Sequence, residues 1–271
     1  MSRQIHIVTS YYNRKAQTLK TLKSIESFNK LNNLNVIIVD DCSDPDQRLE
    51  DISNNYNFNI KVLRIDPEKK NWYNPCVTYN YGFIHLEADD NDVVIIQNPE
   101  CTHNGDILNH SLTTTTHLNY LVYNCASLNE KQTNQYINTG DFGPSLSPDP
   151  ASDPNSYDGQ VTWYVHSKFR PKYYHFCSSI TYKNLKKLNG FDIRFKSGHG
   201  FDDDEFSLRV SRLNLDRQFI SKPFVYHLWH ERTPLTNFTK LYKNRDLYYN
   251  ILNNTTNYTV NNNTFFGKKN K

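Results

Sequence analysis

Four acids stand in a row at Asp202-Asp203-Asp204-Glu205, ahead of the apolar positions Phe206, Leu208 and Val210 that mark a helix. Acids are favourable at a helix N-terminus because the unpaired amides there carry partial positive charge. One or two carboxylates meet that need, so four in a row point to a further task. A second acidic pair, Asp40-Asp41, ends the apolar run Val36–Val39 and leads into Cys42-Ser43-Asp44. A carboxylate at a strand tip suits a ring N–H or sugar hydroxyls, although Asp and Ser also serve turns. The first apolar run ends in Thr9-Ser10-Tyr11-Tyr12-Asn13-Arg14, which exposes hydroxyls, flat rings and an amide. Gln97-Asn98-Pro99-Glu100 sets two oxygen donors one residue apart, a pattern that hard cations such as Mg²⁺ and Mn²⁺ accept. His227-Leu228-Trp229-His230-Glu231 adds two imidazoles that can complete a metal site when neutral. Trp163 and His166, with the segment His175-Phe176-Cys177-Ser178-Ser179 beyond them, offer faces and hydroxyl partners for a sugar ring.

These groups need elements to carry them. Ile5–Thr9, Val36–Val39, Ile60–Ile65 and Val93–Ile96 read as short buried strands. Lys15–Phe28 and Pro75–Leu86 read as helices between them, the second with proline near its first turn. Such β-α-β alternation implies a parallel sheet covered on both faces, with ligands outside the carboxyl ends of the strands. The second half is less regular. Helices are expected over Asn104–Thr116, Asp202–Leu213 and Leu235–Leu252. Strands are expected over Tyr120–Cys125, Phe176–Tyr182 and Phe224–Trp229, and a long loop over Asn138–Gln160. With no repeat and no clear linker, residues 1–252 read as one domain and residues 253–271 as a flexible polar tail.

The 271 residues suffice for a sizeable core. A net charge of +3 is too small and dispersed for a nucleic-acid partner. No stretch approaches the roughly 20 apolar residues of a membrane helix, and the start lacks the long apolar core of a signal peptide. Five scattered cysteines fit reduced thiols. These features together predict a cytoplasmic chain.

The order of these segments resembles the family-2 glycosyltransferases. That family typically opens with a strand ending Thr/Ser-x-Tyr-Asn and a second ending Asp-Asp-x-Ser. Here Thr9-Ser10-Tyr11-Tyr12-Asn13 carries one extra tyrosine and Asp40-Asp41-Cys42-Ser43 matches directly. Asn80-Tyr81-Gly82 matches the family's Asn-x-Gly, and Asn189-Gly190-Phe191-Asp192 its Gly-Gly-Phe-Asp turn. The acidic run resembles Gly-x-Gly-x-Glu-Asp of inverting enzymes with the GT-A fold, with Asp202 at the Glu position. The Asp-x-Asp position holds Asn98-Pro99-Glu100, one carboxylate instead of two.

The resemblance implies a single-domain α/β fold of GT-A type, Rossmann-like, with a mostly parallel sheet flanked by helices. It implies transfer of a sugar from a nucleotide sugar, a UDP-sugar, to an acceptor hydroxyl with inversion. Asp203 would be the base, because an acceptor hydroxyl is a poor nucleophile until its proton is removed. Asp202, Trp163 and His166 would hold the acceptor, a glycan or protein-linked glycan. Thr9, Tyr11, Asp40, Arg64, Asn80 and Asn98 would bind the donor. Glu100, His227 and His230 would hold Mn²⁺ or Mg²⁺. One alternative is a non-catalytic protein of this fold that binds a nucleotide sugar or glycan. Another is a nucleotidyltransferase, which would want a glycine-rich phosphate loop, yet residues 9–18 contain no glycine.

Overall fold

The computed structural model describes residues 3–30, 33–52, 55–141, 163–231 and 238–269. The chain runs β1 (Ile5–Tyr11), α1 (Lys15–Phe28), β2 (Leu34–Asp40), β3 (Asn59–Arg64), α2 (Cys76–Ile84), β4 (Val93–Gln97), β5 (Cys101–Asn104), α3 (Ile107–Thr114), β6 (Asn119–Ser127) and α4 (Glu130–Thr139). It continues with β7 (Trp163–Val165), β8 (Cys177–Thr181), α5 (Tyr182–Leu188), α6 (Asp202–Arg212), β9 (Asp216–His227), α7 (Phe238–Asn254) and a small hairpin, β10 (Thr264–Phe265) with β11 (Lys268–Lys269).

One sheet has the order β3-β2-β1-β4-β8-β6-β9-β5, with β7 added beside β6. Its first four strands are parallel, because each returns through a covering segment. β8 then runs antiparallel to both β4 and β6. Gln97 at the end of β4 therefore pairs with Cys177 at the start of β8. The chain entering β8, including His175, thus reaches the carboxyl edge where β1, β2 and β4 end. The apolar runs are buried on both faces, as in Ile5, Ile7, Val8, Val36, Ile38 and Val93–Ile96, all at most 1% exposed.

Gly82 shows why α2 lies so close to this sheet. A Cβ there would meet Val8 Cγ1 at 2.5 Å and Val39 Cγ2 at 3.1 Å. The neighbouring Asn80 was expected to bind donor, but its buried amide receives the Phe191 amide at 2.7 Å and donates to the Phe191 carbonyl at 2.7 Å. Asn-x-Gly is therefore a fastening between α2, the sheet and the turn before α6.

Trp163 was expected to meet the acceptor. It is 3% exposed and packs with Ala126, Leu128, Tyr136, Phe224, Tyr226 and Leu228 in a second apolar cluster. His166 stacks against Trp163 and Phe169, and its Nδ1 accepts from the amides of Lys168 and Phe169. Neither side chain lines the cavity beside the acids of α6.

Other differences are of extent. The expected 104–116 helix starts at Ile107, because β5 occupies Cys101–Asn104. The expected 138–160 loop begins within α4, whose Asn129-Gln132 capping box starts a helix the sequence reading missed. The remainder of that loop, from 142, lies outside the described residues. The segment from 253 was expected to be a flexible tail. Instead Phe266 is buried and Asn189 grips the backbone of Val260, Asn261, Thr264 and Phe266.

Candidate active site

Two clusters occupy the carboxyl edge of the sheet. The first is built by the start of α6. Phe201, just before it, adopts φ 64, a left-handed conformation that is uncommon for a bulky residue and typical of constrained sites. From there the four acids turn to four different partners. Asp202 is buried and accepts from Asn74 Nδ2 at 2.7 Å. Asp203 Oδ1 accepts from the His175 amide at 3.1 Å and also lies against His175 Nδ1. Asp204 accepts from the Tyr174 hydroxyl at 3.3 Å. Glu205 takes Arg209 in a two-pronged pair at 2.6 and 2.9 Å, and Arg209 also donates to the carbonyls of Leu188 and Gly190.

The charges respond to these surroundings. Burial, then the adjacent Asp203, pushes the Asp202 carboxyl up to about 6, against the pull of His175 and Asn74. Burial disfavours charge on His175, but Asp203 and Asp202 outweigh it and raise its pKa above the ordinary histidine value. Asp204 and Glu205 are both raised by burial. Asp202 and Asp203 border a cavity of about 180 Å³ that also meets Tyr73, Asn74, Asn98, His175 and His199. Asn244 of α7 supports the rim by donating to the carbonyls of Phe195 and Gly200.

The second cluster gathers around Glu100, the residue just before β5. Its Oε1 lies 3.0 Å from Arg14 Nη1, 3.0 Å from His227 Nε2 and 3.6 Å from His230 Nε2. Burial opposes its ionisation, yet Arg14, His227 and His230 together hold its carboxyl well below the usual carboxylate range. Burial lowers the pKa of His230 and so favours its neutral, ligating form. The three expected metal residues thus come together, with donor atoms within 4.8 Å of one another. Glu100 Oε2 is buried with no hydrogen-bond partner, an orphaned acceptor that a cation would satisfy. One carboxylate and two imidazole nitrogens form a donor set that a divalent transition-metal ion accepts. Asn98, two residues before, turns the other way: its Oδ1 accepts from Tyr79 and it lines the acid-side cavity.

The donor-side residues lie beside these clusters. β1 and β2 are in register, so Tyr11 pairs with Asp40. Asp40 is fully buried, accepts from the Ser43 amide at 2.7 Å and pairs with Arg64 Nη1 at 3.1 Å. Arg64 also donates to Glu50, so both expected partners of a nucleoside are engaged with each other. The Tyr11 hydroxyl donates to the Gln47 carbonyl. Thr9 Oγ1 is buried without a partner. Asp41 accepts from Trp72 Nε1 and Lys70 Nζ, both at 3.0 Å. Burial raises its pKa against those partners. Asn74, which holds Asp202, follows Trp72 by two residues, so the 65–75 segment runs from the Asp40 side to the acids of α6 along one edge.

Sequence reasoning missed Arg14, His175, Asn74 and Lys70. Arg14 and His175 stand inside segments whose chemistry was noted, whereas Asn74 and Lys70 carry no local signal. A larger opening of about 860 Å³ lies at the opposite edge of the sheet, near Arg3, Asp90, Asn91 and His117. Its charged groups are engaged with protein partners, as in Lys186 with Asp90 and Arg3 with the Asn91 carbonyl. Among the described residues no helix is long and apolar enough to cross a membrane.

Comparison with known proteins adds an independent line. The family model described as Glycosyl transferase family 2 matches residues 6–112. A comparison with curated protein sequences found no match. The S. aureus TarS 1-349 structure in complex with UDP-GlcNAc is 16% identical with a TM-score of 0.60, covering 92% of this chain and 67% of that one. Mannosyltransferase PcManGT from Pyrobaculum calidifontis, in complex with GDP-Man and Mn²⁺, is 10% identical with a TM-score of 0.55 over 86% of this chain and 59% of that one. Glucosyl-3-phosphoglycerate synthase from Mycobacterium tuberculosis, in complex with Mn²⁺, UDP and glucosyl-3-phosphoglycerate, is 15% identical with a TM-score of 0.54 over 92% and 79%. The chain spans about two thirds of the TarS 1-349 structure and 40% of a longer TarS structure. At these identities the likeness establishes the fold.

Proposed function

We propose, from the family-model match over residues 6–112 and the GT-A fold, that the chain moves a sugar from a UDP-sugar to an acceptor hydroxyl with inversion. Asp203 is the base. Its Oδ1 is committed to His175, which leaves Oδ2 to take the hydroxyl proton as the acceptor oxygen attacks the anomeric carbon. Asp202, buried at the same cavity and held by Asn74, acts as the ligand of acceptor hydroxyls. Its raised pKa suits it to donate as well as accept a hydrogen bond. The nucleoside lies along Thr9, Tyr11 and Asp40, where an orphaned hydroxyl and a buried carboxylate meet the strand ends. Glu100, His227 and His230 are the metal ligands, for Mn²⁺ or Mg²⁺. A divalent ion bound there would stabilise the charge that develops on the departing diphosphate. The donors carried by structural neighbours, UDP-GlcNAc, GDP-Man and UDP, support a nucleotide-linked hexose. The acceptor is a glycan or protein-linked glycan, met in the cytoplasm.

The observation that carries this reading is the Asp203–His175 contact at a cavity shared with Asp202. The test is Asp203→Asn, with transfer followed by UDP release and UDP binding followed by calorimetry. Transfer is expected to fall roughly 10²–10⁴-fold with UDP affinity unchanged. Transfer near the wild-type rate would remove Asp203 from the role of base. A wild-type protein that binds UDP yet transfers from no UDP-sugar in a donor and acceptor panel would instead favour the non-catalytic binder.

A further inference from the structure

The turn between β1 and α1 is unusual. Asn13 and Arg14 are both left-handed, at φ 53 and φ 68, and neither is glycine. A side chain is strained in this conformation, which persists where its surroundings impose it. The surroundings here are the 43–47 segment. Ser43 Oγ accepts from the Asn13 amide at 2.9 Å, Asp44 bonds both ends of the Asn13 side chain, and Gln47 Oε1 accepts from the Lys15 amide. The result is that Arg14 leaves the helix start and reaches Glu100, 86 residues away in the chain. Its side chain is still 32% exposed, whereas Glu100 is buried.

Glu100 Oε1 is therefore claimed twice. Arg14 sits 3.0 Å from it, and the same oxygen faces His227 and His230, the two imidazoles of the candidate metal site. A guanidinium and a divalent cation on one carboxylate oxygen repel each other strongly at such distances. The arginine can leave, because it is long and partly solvated, whereas the histidines are held on and beside β9. When it leaves, a donor diphosphate bound at this edge would offer it an anion.

We propose that Arg14 is a two-position cation: it neutralises Glu100 in the ion-free protein and swings to the donor diphosphate when a divalent ion takes Glu100. This rests on the reading of the preceding section. It makes ion entry and diphosphate capture one exchange, with a buried carboxylate never left without a cation.

The test uses the full chain with Mn²⁺ alone, UDP alone and UDP at saturating Mn²⁺ as probes, by calorimetry. In Arg14→Gln, Mn²⁺ affinity without nucleotide is expected to rise on the order of tenfold, because the competing charge is gone. UDP affinity at saturating Mn²⁺ is expected to fall by a similar factor. An unchanged or weaker Mn²⁺ affinity, or an unchanged UDP affinity, would overturn the exchange and leave Arg14 a structural partner of Glu100. Should Arg14→Gln fail to fold, Glu100→Gln supplies the converse measurement. Freed from its carboxylate, Arg14 should raise metal-free UDP affinity several-fold, and no rise would equally overturn the proposal. Wild-type protein that binds no UDP at all would fail the glycosyltransferase reading itself, a distinct result.

Discussion

At the start of α6 four carboxylates crowd into one helical turn, whereas beside β5 a single carboxylate is ringed by Arg14, His227 and His230. The two clusters face opposite electrostatic problems on one edge of one sheet. In the first, like charges are separated by assigning each a private partner: an amide for Asp202, a histidine for Asp203, a phenol for Asp204 and an arginine for Glu205. The helix N-terminus contributes to all of them. In the second, excess positive charge is collected by one buried anion, which leaves the cations on call. The comparison teaches that a run of identical residues carries distinct tasks. Glu205 is paired with Arg209 in the interior, Asp202 is held by Asn74 with its pKa raised, and Asp203 is held by His175 at the same cavity.

The comparison breaks most visibly if the clusters can be disabled separately. Glu100→Gln is expected to weaken Mn²⁺ binding by more than the roughly 10–100-fold that losing an outer-shell partner costs. Asp203→Asn should leave Mn²⁺ binding alone, and parallel loss in both variants would mean the clusters are one site. Next in size is Arg209→Met, which strands Glu205 and two carbonyls in the interior. A loss of about 3–5 kcal/mol in chemical denaturation is expected. Near-wild-type stability would show that Glu205 is not the structural acid of the run.

Asp202→Asn tests the poised acid. A carboxyl raised to about 6 in the fold binds protons more tightly than in the unfolded chain. Stability is therefore lost as pH rises from the ordinary carboxylate range through about 6, and the cost persists at neutral pH. The amide variant lacks this penalty, so it should be about 2 kcal/mol more stable at pH 7 and show a flatter stability profile between pH 4 and 6. An unaltered profile would assign the titration to another group. The smallest effect is that of Tyr79→Phe, which removes the hydroxyl donated to Asn98 Oδ1 at 3.0 Å. About 1 kcal/mol should be lost, with Mn²⁺ affinity unchanged if Asn98 belongs to the acid side.

Much of the first half was legible because buried parallel strands are continuous apolar runs. α1 spans Lys15–Phe28 as its periodicity implies, and β2 and β4 match their runs to within two residues. Glu100, His227 and His230 were singled out by residue type, and the fold brings them together. The acid run was legible as a site but not in its division of labour, since the four partners come from distant segments. Asn80 misled because its partner lies 111 residues away, and an amide looks the same whether it grips backbone or ligand. Trp163 misled because aromatic faces serve a core and a sugar platform alike. β5 and α4 were missed for a different reason: four-residue strands and polar helices have little period to detect.

The grip of Asn189 on Val260, Asn261, Thr264 and Phe266 has a consequence for how the protein is made. Gly190 and Phe191, locked against Asn80, sit at the entrance to the acid-bearing helix, yet the last piece fastening that turn leaves the ribosome some seventy residues later. A nascent chain halted before that point would carry Asp202 and Asp203 without the clasp on the turn before them, so that turn is completed late in synthesis rather than with the motif itself.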